Sequence, residues 1–318
     1  MTLPCTAAGT LLITAAVVVV GVVGFWYDED LFSLLVGRFV AMLPTTAAYV
    51  SLYLVAVVLE LATNGDSLTP LTLAASGLAL VCSWCGSWYM NDVFDTDADA
   101  GTGENRATAD GRLTTGQTLL TAIIFWTASL GYAAVVNWTV VFGAAAMIGL
   151  NLLYSVPPIR LKRSGIGSMG LIGLMGATAV FHGSGAVTDT PSGIIWRFAL
   201  IVTVFMTLNL SYKDLKDAEE DARTGVENFV VSFGKERVRQ FLLVSLPVSY
   251  LLGAVLLGLS RPSLLAVFGT IGLGAIAILE SHDISKSTLT YRLDLVNATY
   301  LVALAASYYA MHTRGLLK

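Results

Sequence analysis

Successive apolar stretches, each near the twenty or so residues that cross a bilayer core, leave this chain few folds to adopt. They lie at 39–59, 71–90, 166–187, 198–212, 241–259, 264–279 and 295–311. A longer one at 118–154 divides near Asn137 into two, with a tight turn between them. A membrane interior gives the backbone no solvent to bond to, so such stretches span as helices. Composition agrees: 55% hydrophobic and 13% charged residues, with mean hydropathy +0.73, leave too little polar surface for a water-soluble domain. A further apolar run at 6–26 lacks the positive start of a secretory signal and shows no polar face, so it reads as a retained extra helix. The expectation is an all-α integral membrane protein, with residues 1–33 as extra helix and linker and residues 34–318 as a transmembrane domain of nine helices.

Two acidic runs interrupt this pattern. The first reads Asn91-Asp92-Val93-Phe94-Asp95-Thr96-Asp97-Ala98-Asp99, the second Lys213-Asp214-Leu215-Lys216-Asp217-Ala218-Glu219-Glu220-Asp221. Both contain D-x-x-D-x-x-x-D, formed by Asp92, Asp95 and Asp99 and by Asp214, Asp217 and Asp221, and each follows the end of an apolar stretch. If the helix continues, positions i, i+3 and i+7 share one face, and Asp97 falls on the other. Carboxylates about 5 Å apart repel by ~3 kcal/mol per pair at an effective dielectric near 20. A helix C-terminus, itself partly negative, makes this worse. A cationic partner is therefore expected. Oxygen ligands without His or Cys select Mg²⁺ or Ca²⁺, and Mg²⁺ commonly completes its shell with substrate phosphate. Acidic runs can also be mere solvated loop surface. Identical spacing at two membrane exits argues against that reading.

With both runs on one side and the spans alternating, only Arg197, Arg261, Arg314 and Lys318, of 18 basic residues, fall on the other side. The positive-inside rule then places the aspartate runs in the cytoplasm. The connections on that side are also the long polar ones, which suits a functional role. Cys82 and Cys85 form a C-x-x-C within an apolar stretch; with no second pair or nearby His they read as small hydrophobes.

On these residues the chain resembles the UbiA-type prenyltransferase family, from about Arg38 to the last helix. Asn91, Asp92, Asp95 and Asp99 match its first motif, N-D-x-x-D-x-x-x-D. Asp214, Asp217 and Asp221 match its second, followed by Gly225 and Phe233-Gly234. Between them, Tyr154-Ser155-Val156-Pro157-Pro158-Ile159-Arg160-Leu161-Lys162-Arg163 is similar to the family's Y-S-x-P-P-x-R-L-K loop. The resemblance implies nine helices around a cavity, with Mg²⁺ held by Asn91 and the six aspartates. Asp92, Asp95, Asp214, Asp217 and Tyr154 would be catalytic. A prenyl diphosphate would ionise there and its cation attack a lipophilic acceptor, such as an aromatic or quinone-precursor ring, or cyclise to a terpene in a related branch. The chain departs from the pattern after the first motif: in Asn105-Arg106-Ala107-Thr108-Ala109-Asp110-Gly111-Arg112 the usual proline is missing and an aspartate has entered.

For such chemistry Lys213, beside Asp214, is a candidate phosphate contact, together with Arg106, Lys162 and Arg38. Arg163 and Arg239 read as topology markers. Aromatic faces stabilise cations without trapping them. Trp84, Trp88 and Tyr89 approach the first run, Phe94 lies within it, Tyr212 adjoins the second, and Tyr154 opens the proline loop. Trp and Tyr at membrane ends also serve as interfacial anchors. His182, mid-stretch, reads equally as a proton acceptor and as a helix contact. Three functions remain open at this level: prenyl transfer to an acceptor, terpene cyclisation, and divalent-cation transport. Transport is disfavoured by the near absence of acids inside the spans. The partners expected are a prenyl diphosphate, a lipophilic acceptor (none for a cyclase) and membrane lipid, and no nucleic acid.

Overall fold

The computed structural model describes residues 29–65, 68–99, 108–215, 218, 222, 228–281 and 286–317. The run at 6–26, read as an extra helix, lies outside them, as do Arg106, Asp217 and Asp221. The long helices are α1 (Glu29–Asn64), α2 (Pro70–Asp99), α3 (Thr115–Val136), α4 (Trp138–Ser155), α5 (Gly165–Gly185) and α6 (Gly193–Asn209). They are followed by the short α7 (Phe229–Phe233), then α8 (Lys235–Leu256), α9 (Pro262–Glu280) and α10 (Lys286–Thr313). Seven of them are long and apolar enough to cross a membrane; α5 and α10 fall outside that set. In α10 the apolar character is diluted by Arg292, Asp294, Asn297 and several tyrosines. The chain is a multi-pass integral membrane protein.

The helices α2, α3, α4, α5, α6, α8, α9, α10 and α1 pack each on the next, and α1 closes the circuit against α2 while also lying along α5. Lipid provides no hydrophobic drive between helices, so small residues that admit close contact matter. A Cβ added at Gly183 of α5 would run into the Tyr53 backbone of α1, and one at Gly173 would meet the Thr203 carbonyl oxygen of α6 at 2.5 Å. The outer face is apolar, as lipid requires: Trp138 is 84% exposed and Val302 69%.

The split at Asn137 falls where the sequence places it. Asn137 ends α3 and caps α4, accepting the Val140 N–H at 3.1 Å, while its amide donates to the Gly185 carbonyl at 2.8 Å. At the same end of the bundle, the fully buried Glu60 accepts from Asn64 (2.5 Å), from the Ser184 hydroxyl (3.1 Å), and from the Ser192 N–H and hydroxyl (3.3 and 3.1 Å). This fastens α1 to α5 and to the start of α6. His182, one turn earlier on α5, is wholly buried against Gly143 and hydrogen-bonds through Nδ1 to the Thr178 carbonyl of its own helix at 2.7 Å.

Candidate active site

The first acidic run does continue its helix, as α2 reaches Asp99. Trp84, Trp88, Asn91 and Asp95 then recur every three or four residues along one face, with Asp92 next to Asn91 at its edge. Asp92 and Asp95 are both buried. Each meets protein cations. Arg38 of α1 grips Asp92 with two hydrogen bonds, Nε at 2.7 Å and Nη2 at 2.5 Å, and its guanidinium lies 4.8 Å from the Trp88 ring centroid. A planar fork matches a carboxylate in this way where a lysine ammonium cannot.

Asp95 is held from the other side by the proline loop. After α4 the chain passes Pro157–Pro158, joined by a cis peptide, to Arg160, whose φ of 38° is left-handed, and then a 3₁₀ turn at Leu161–Arg163. A residue other than glycine is held in that region only where its surroundings demand it. Arg160 donates to the Phe94 carbonyl at 2.7 Å and to Asp95 at 2.8 Å. Lys162 bonds to Asp95 and, at 3.0 Å, to the Asn91 side-chain oxygen. That oxygen also accepts from the Ser155 hydroxyl at 3.2 Å. The loop is thus folded down onto the first motif.

The second motif differs from a simple continued helix. Past α6 the chain tightens into a 3₁₀ turn at Leu210–Tyr212, and Asp214 N–H bonds to the Ser211 carbonyl at 3.1 Å. The tighter turn buries Tyr212, whose hydroxyl donates to Asp294 of α10. Asn297 donates to the Tyr212 oxygen at 3.2 Å and accepts from Tyr250 at 2.6 Å. Lys213 lies 3.7 Å from Asp294. Tyr154, the residue that opens the proline loop, is in electrostatic range of both Asp95 and Asp214.

Of the sequence-derived residues, Arg38 pairs with Asp92, Lys162 bridges Asn91 and Asp95, and Tyr154 is in electrostatic range of Asp95. Lys213 faces Asp294. The side chains of Asp99, Asp217 and Asp221, and Arg106, lie outside the described residues. Among the described residues no three carboxylate, imidazole or thiol groups gather closely enough to hold a metal ion. Sequence reasoning placed Arg160 in the proline loop and on the basic side of the membrane but gave it no role at the site, and it passed over Asp294. The signal for Asp294 was a lone acid at the head of an apolar stretch. Arg239 is more than a marker: its Nε donates to the Leu279 carbonyl at 2.8 Å, capping the end of α9. Trp84 and Trp88 face the bundle interior through the Tyr49–Trp84 stack and the Arg38 guanidinium, not the interface. Cys82 and Cys85 are buried free thiols.

A helical membrane bundle with amide and carboxylate oxygens on one inward helix face, and basic groups arranged around them, defines a class of intramembrane protein built around a polar site at one end. Residues 49–293 match the UbiA prenyltransferase family, and the chain belongs to it. The homogentisate phytyltransferase of Synechocystis sp. is 25% identical over 173 residues, 52% of this chain and 56% of that protein. The chain thus spans little more than half the length of this curated relative. Among solved structures, a UbiA homologue from Archaeoglobus fulgidus bound to GPP and Mg²⁺ gives a TM-score of 0.62 at 18% identity, covering 84% of this chain and 98% of that one. The apo UbiA homologue from Aeropyrum pernix K1 gives 0.63 at 14%, covering 82% and 96%. Digeranylgeranylglyceryl phosphate synthase gives 0.62 at 15%, covering 90% and 99%. At these identities the three structures show a shared fold.

Proposed function

We propose that this chain ionises a prenyl diphosphate with the help of Mg²⁺ and transfers the prenyl group to a lipophilic aromatic acceptor. The observation that carries the reading is the joining of Asn91, Asp92 and Asp95 to Arg38, Arg160 and Lys162 at one end of the bundle, with Tyr154 in reach of Asp214. The donor set fits Mg²⁺, being carboxylate and amide oxygens without imidazole or thiolate. Asn91, Asp92, Asp95, Asp99 and Asp214, with Asp217 and Asp221, would hold it. When bound, the metal supplies positive charge where the departing diphosphate becomes negative. The solved homologue bound to GPP and Mg²⁺ supports this assignment.

The remaining chemistry belongs to the protein's own groups. Arg38, Arg160 and Lys162 neutralise the aspartates and, once metal takes that role, can turn to diphosphate oxygens; Lys213 and Arg106 extend the same positive lining. Tyr154 presents a ring face to the allylic cation. The apolar bundle keeps water from capturing that cation. The partition of basic residues supports a cytoplasmic aspartate end.

The test is incubation of purified protein with Mg²⁺ and geranyl, farnesyl or geranylgeranyl diphosphate, with and without a phenolic acceptor. A prenylated phenol is the expected product. A cyclic hydrocarbon or alcohol formed without acceptor would replace transfer by cyclisation. No pyrophosphate released from any substrate would refute both.

A further inference from the structure

The first aspartate motif rides on an unbroken helix; the second does not. The chain leaves α6 at Asn209, and the N–H groups of Lys213 and Asp214 bond three residues back, to the Leu210 carbonyl at 3.0 Å and the Ser211 carbonyl at 3.1 Å. Each residue of such a turn rotates the chain by about 120°, against about 100° in an α-helix. The three residues Leu210–Tyr212 therefore re-aim whatever follows by ~60°. A 3₁₀ turn has the poorer hydrogen-bond geometry of the two, so its neighbours must hold it.

Two helices without a motif of their own do so. The fully buried Asn209 donates to the Ser249 hydroxyl of α8 at 3.0 Å and accepts from Ser245 of the same helix at 2.7 Å. Three residues on, Tyr212 donates to Asp294 of α10 and accepts from Asn297, one turn further along that helix, at 3.2 Å. Asn297 accepts in turn from the fully buried Tyr250 of α8 at 2.6 Å. Polar groups persist in an apolar bundle only where they are paired, so these bonds fix the turn in one place. Ser211, Tyr212 and Leu215 are buried there, while Lys213 and Asp214 between them are half-buried. Sequence alone offers the Tyr212 ring as a face for a cation. As placed, Tyr212 is 1% exposed, and the cation over its ring is the Lys213 ammonium, 5.9 Å from the centroid.

We infer that Tyr212 and Asn297 are positioning residues for the second aspartate motif, holding through the Tyr212 hydroxyl the turn that aims Lys213 and Asp214 at the diphosphate; the inference rests on the function proposed above. The hydroxyl carries this role and the ring does not. Without it the turn relaxes towards an α-helix, and Lys213 and Asp214 rotate away from where the diphosphate is gripped. The loss falls on affinity for the diphosphate, since neither Tyr212 nor Asn297 touches the reacting atoms. This also gives a use to the polar residues that dilute the apolar character of α10.

Binding of inorganic pyrophosphate with Mg²⁺ to the purified full-length protein, by equilibrium dialysis, tests this without turnover. Tyr212→Phe keeps the ring and removes one oxygen; it should weaken pyrophosphate about five- to tenfold, and Asn297→Leu by a similar factor. The double variant should bind no more weakly than the weaker single one, because both changes break the same hydrogen bond. Should Asn297→Leu fail to fold, Tyr250→Phe takes its place, with an expected loss of about two- to threefold. Tyr53→Phe is the control. It removes another buried hydroxyl, bonded to the Leu73 carbonyl at 2.7 Å and to Ser76 at 2.9 Å, and should lower Tm comparably while leaving pyrophosphate affinity unchanged. Wild-type affinity in Tyr212→Phe, a loss no larger than that of Tyr53→Phe, or additive losses in the double variant overturns the inference, as does a wild type that binds no pyrophosphate. The expected pattern in a protein that releases no pyrophosphate from a prenyl diphosphate sinks the proposed function and keeps the positioning role. Release of pyrophosphate with Tyr212→Phe equal to the wild type does the reverse.

Discussion

Both ends of the bundle bury carboxylates, and they treat them in opposite ways. At one end Glu60 is surrounded by hydroxyl, amide and backbone N–H donors and has no ion pair among the described residues. At the other, Asp92 and Asp95 are matched by Arg38, Arg160 and Lys162. Neutral donors fixed on three helices form a clasp, useful for holding α1, α5 and α6 in place. Mobile cations on long side chains can exchange a carboxylate for another anion. On the proposed function, the contrast separates an acid that maintains the fold from acids that would serve chemistry.

The largest test of that contrast is at the aspartates. Asp92→Asn, or Mg²⁺ removal with EDTA, should cut pyrophosphate release at least about a hundredfold, the usual scale for losing a principal charge-stabilising group. Glu60→Gln should stay within about twofold of wild type in the same assay. A Glu60 effect equal to that of Asp92 would erase the distinction. Next in size, Glu60→Leu strands the Ser184 and Ser192 donors and should cost about 2–4 kcal/mol, read as a lower Tm in detergent; an unchanged Tm would show that the clasp carries no weight. Arg38→Lys keeps the charge and loses the fork, so KM for the diphosphate should rise about tenfold with the overall stability little changed. Smaller still, Asp294→Asn keeps a partner for the Tyr212 hydroxyl and removes the charge facing Lys213. A drop of about three- to fivefold in kcat/KM, with a normal Tm, would mark Asp294 as a positioning residue; a fall in Tm alone would make it structural.

Much of this was legible in the chain. Runs of apolar residues fixed where helices lie, and the turn at Asn137 could be placed because an amide is rare inside a span and well suited to capping. Asp92 and Asp95 were legible through repetition, and Arg38 through its place at the start of an apolar run. Arg160 was not, since its contact with Asp95 spans 65 residues and depends on a left-handed backbone that no pattern of residue types announces. Asp294 was missed because the last apolar stretch begins one residue after it, so that it counted as loop; α10 in fact starts at Lys286 and carries it inward. The hold on the Tyr212 hydroxyl was invisible for a different reason: no pattern of residue types shows that the chain tightens into a 3₁₀ turn before the second motif.

The hold of Arg38 on Asp92, and of Lys162 on Asp95, means that the chain neutralises these carboxylates with its own side chains. The helices can therefore assemble without a metal ion to offset the buried acids, and the polar end takes its shape as they do. On the proposed function, Mg²⁺ would then take over from cations already in place instead of filling a site held open by repelling carboxylates.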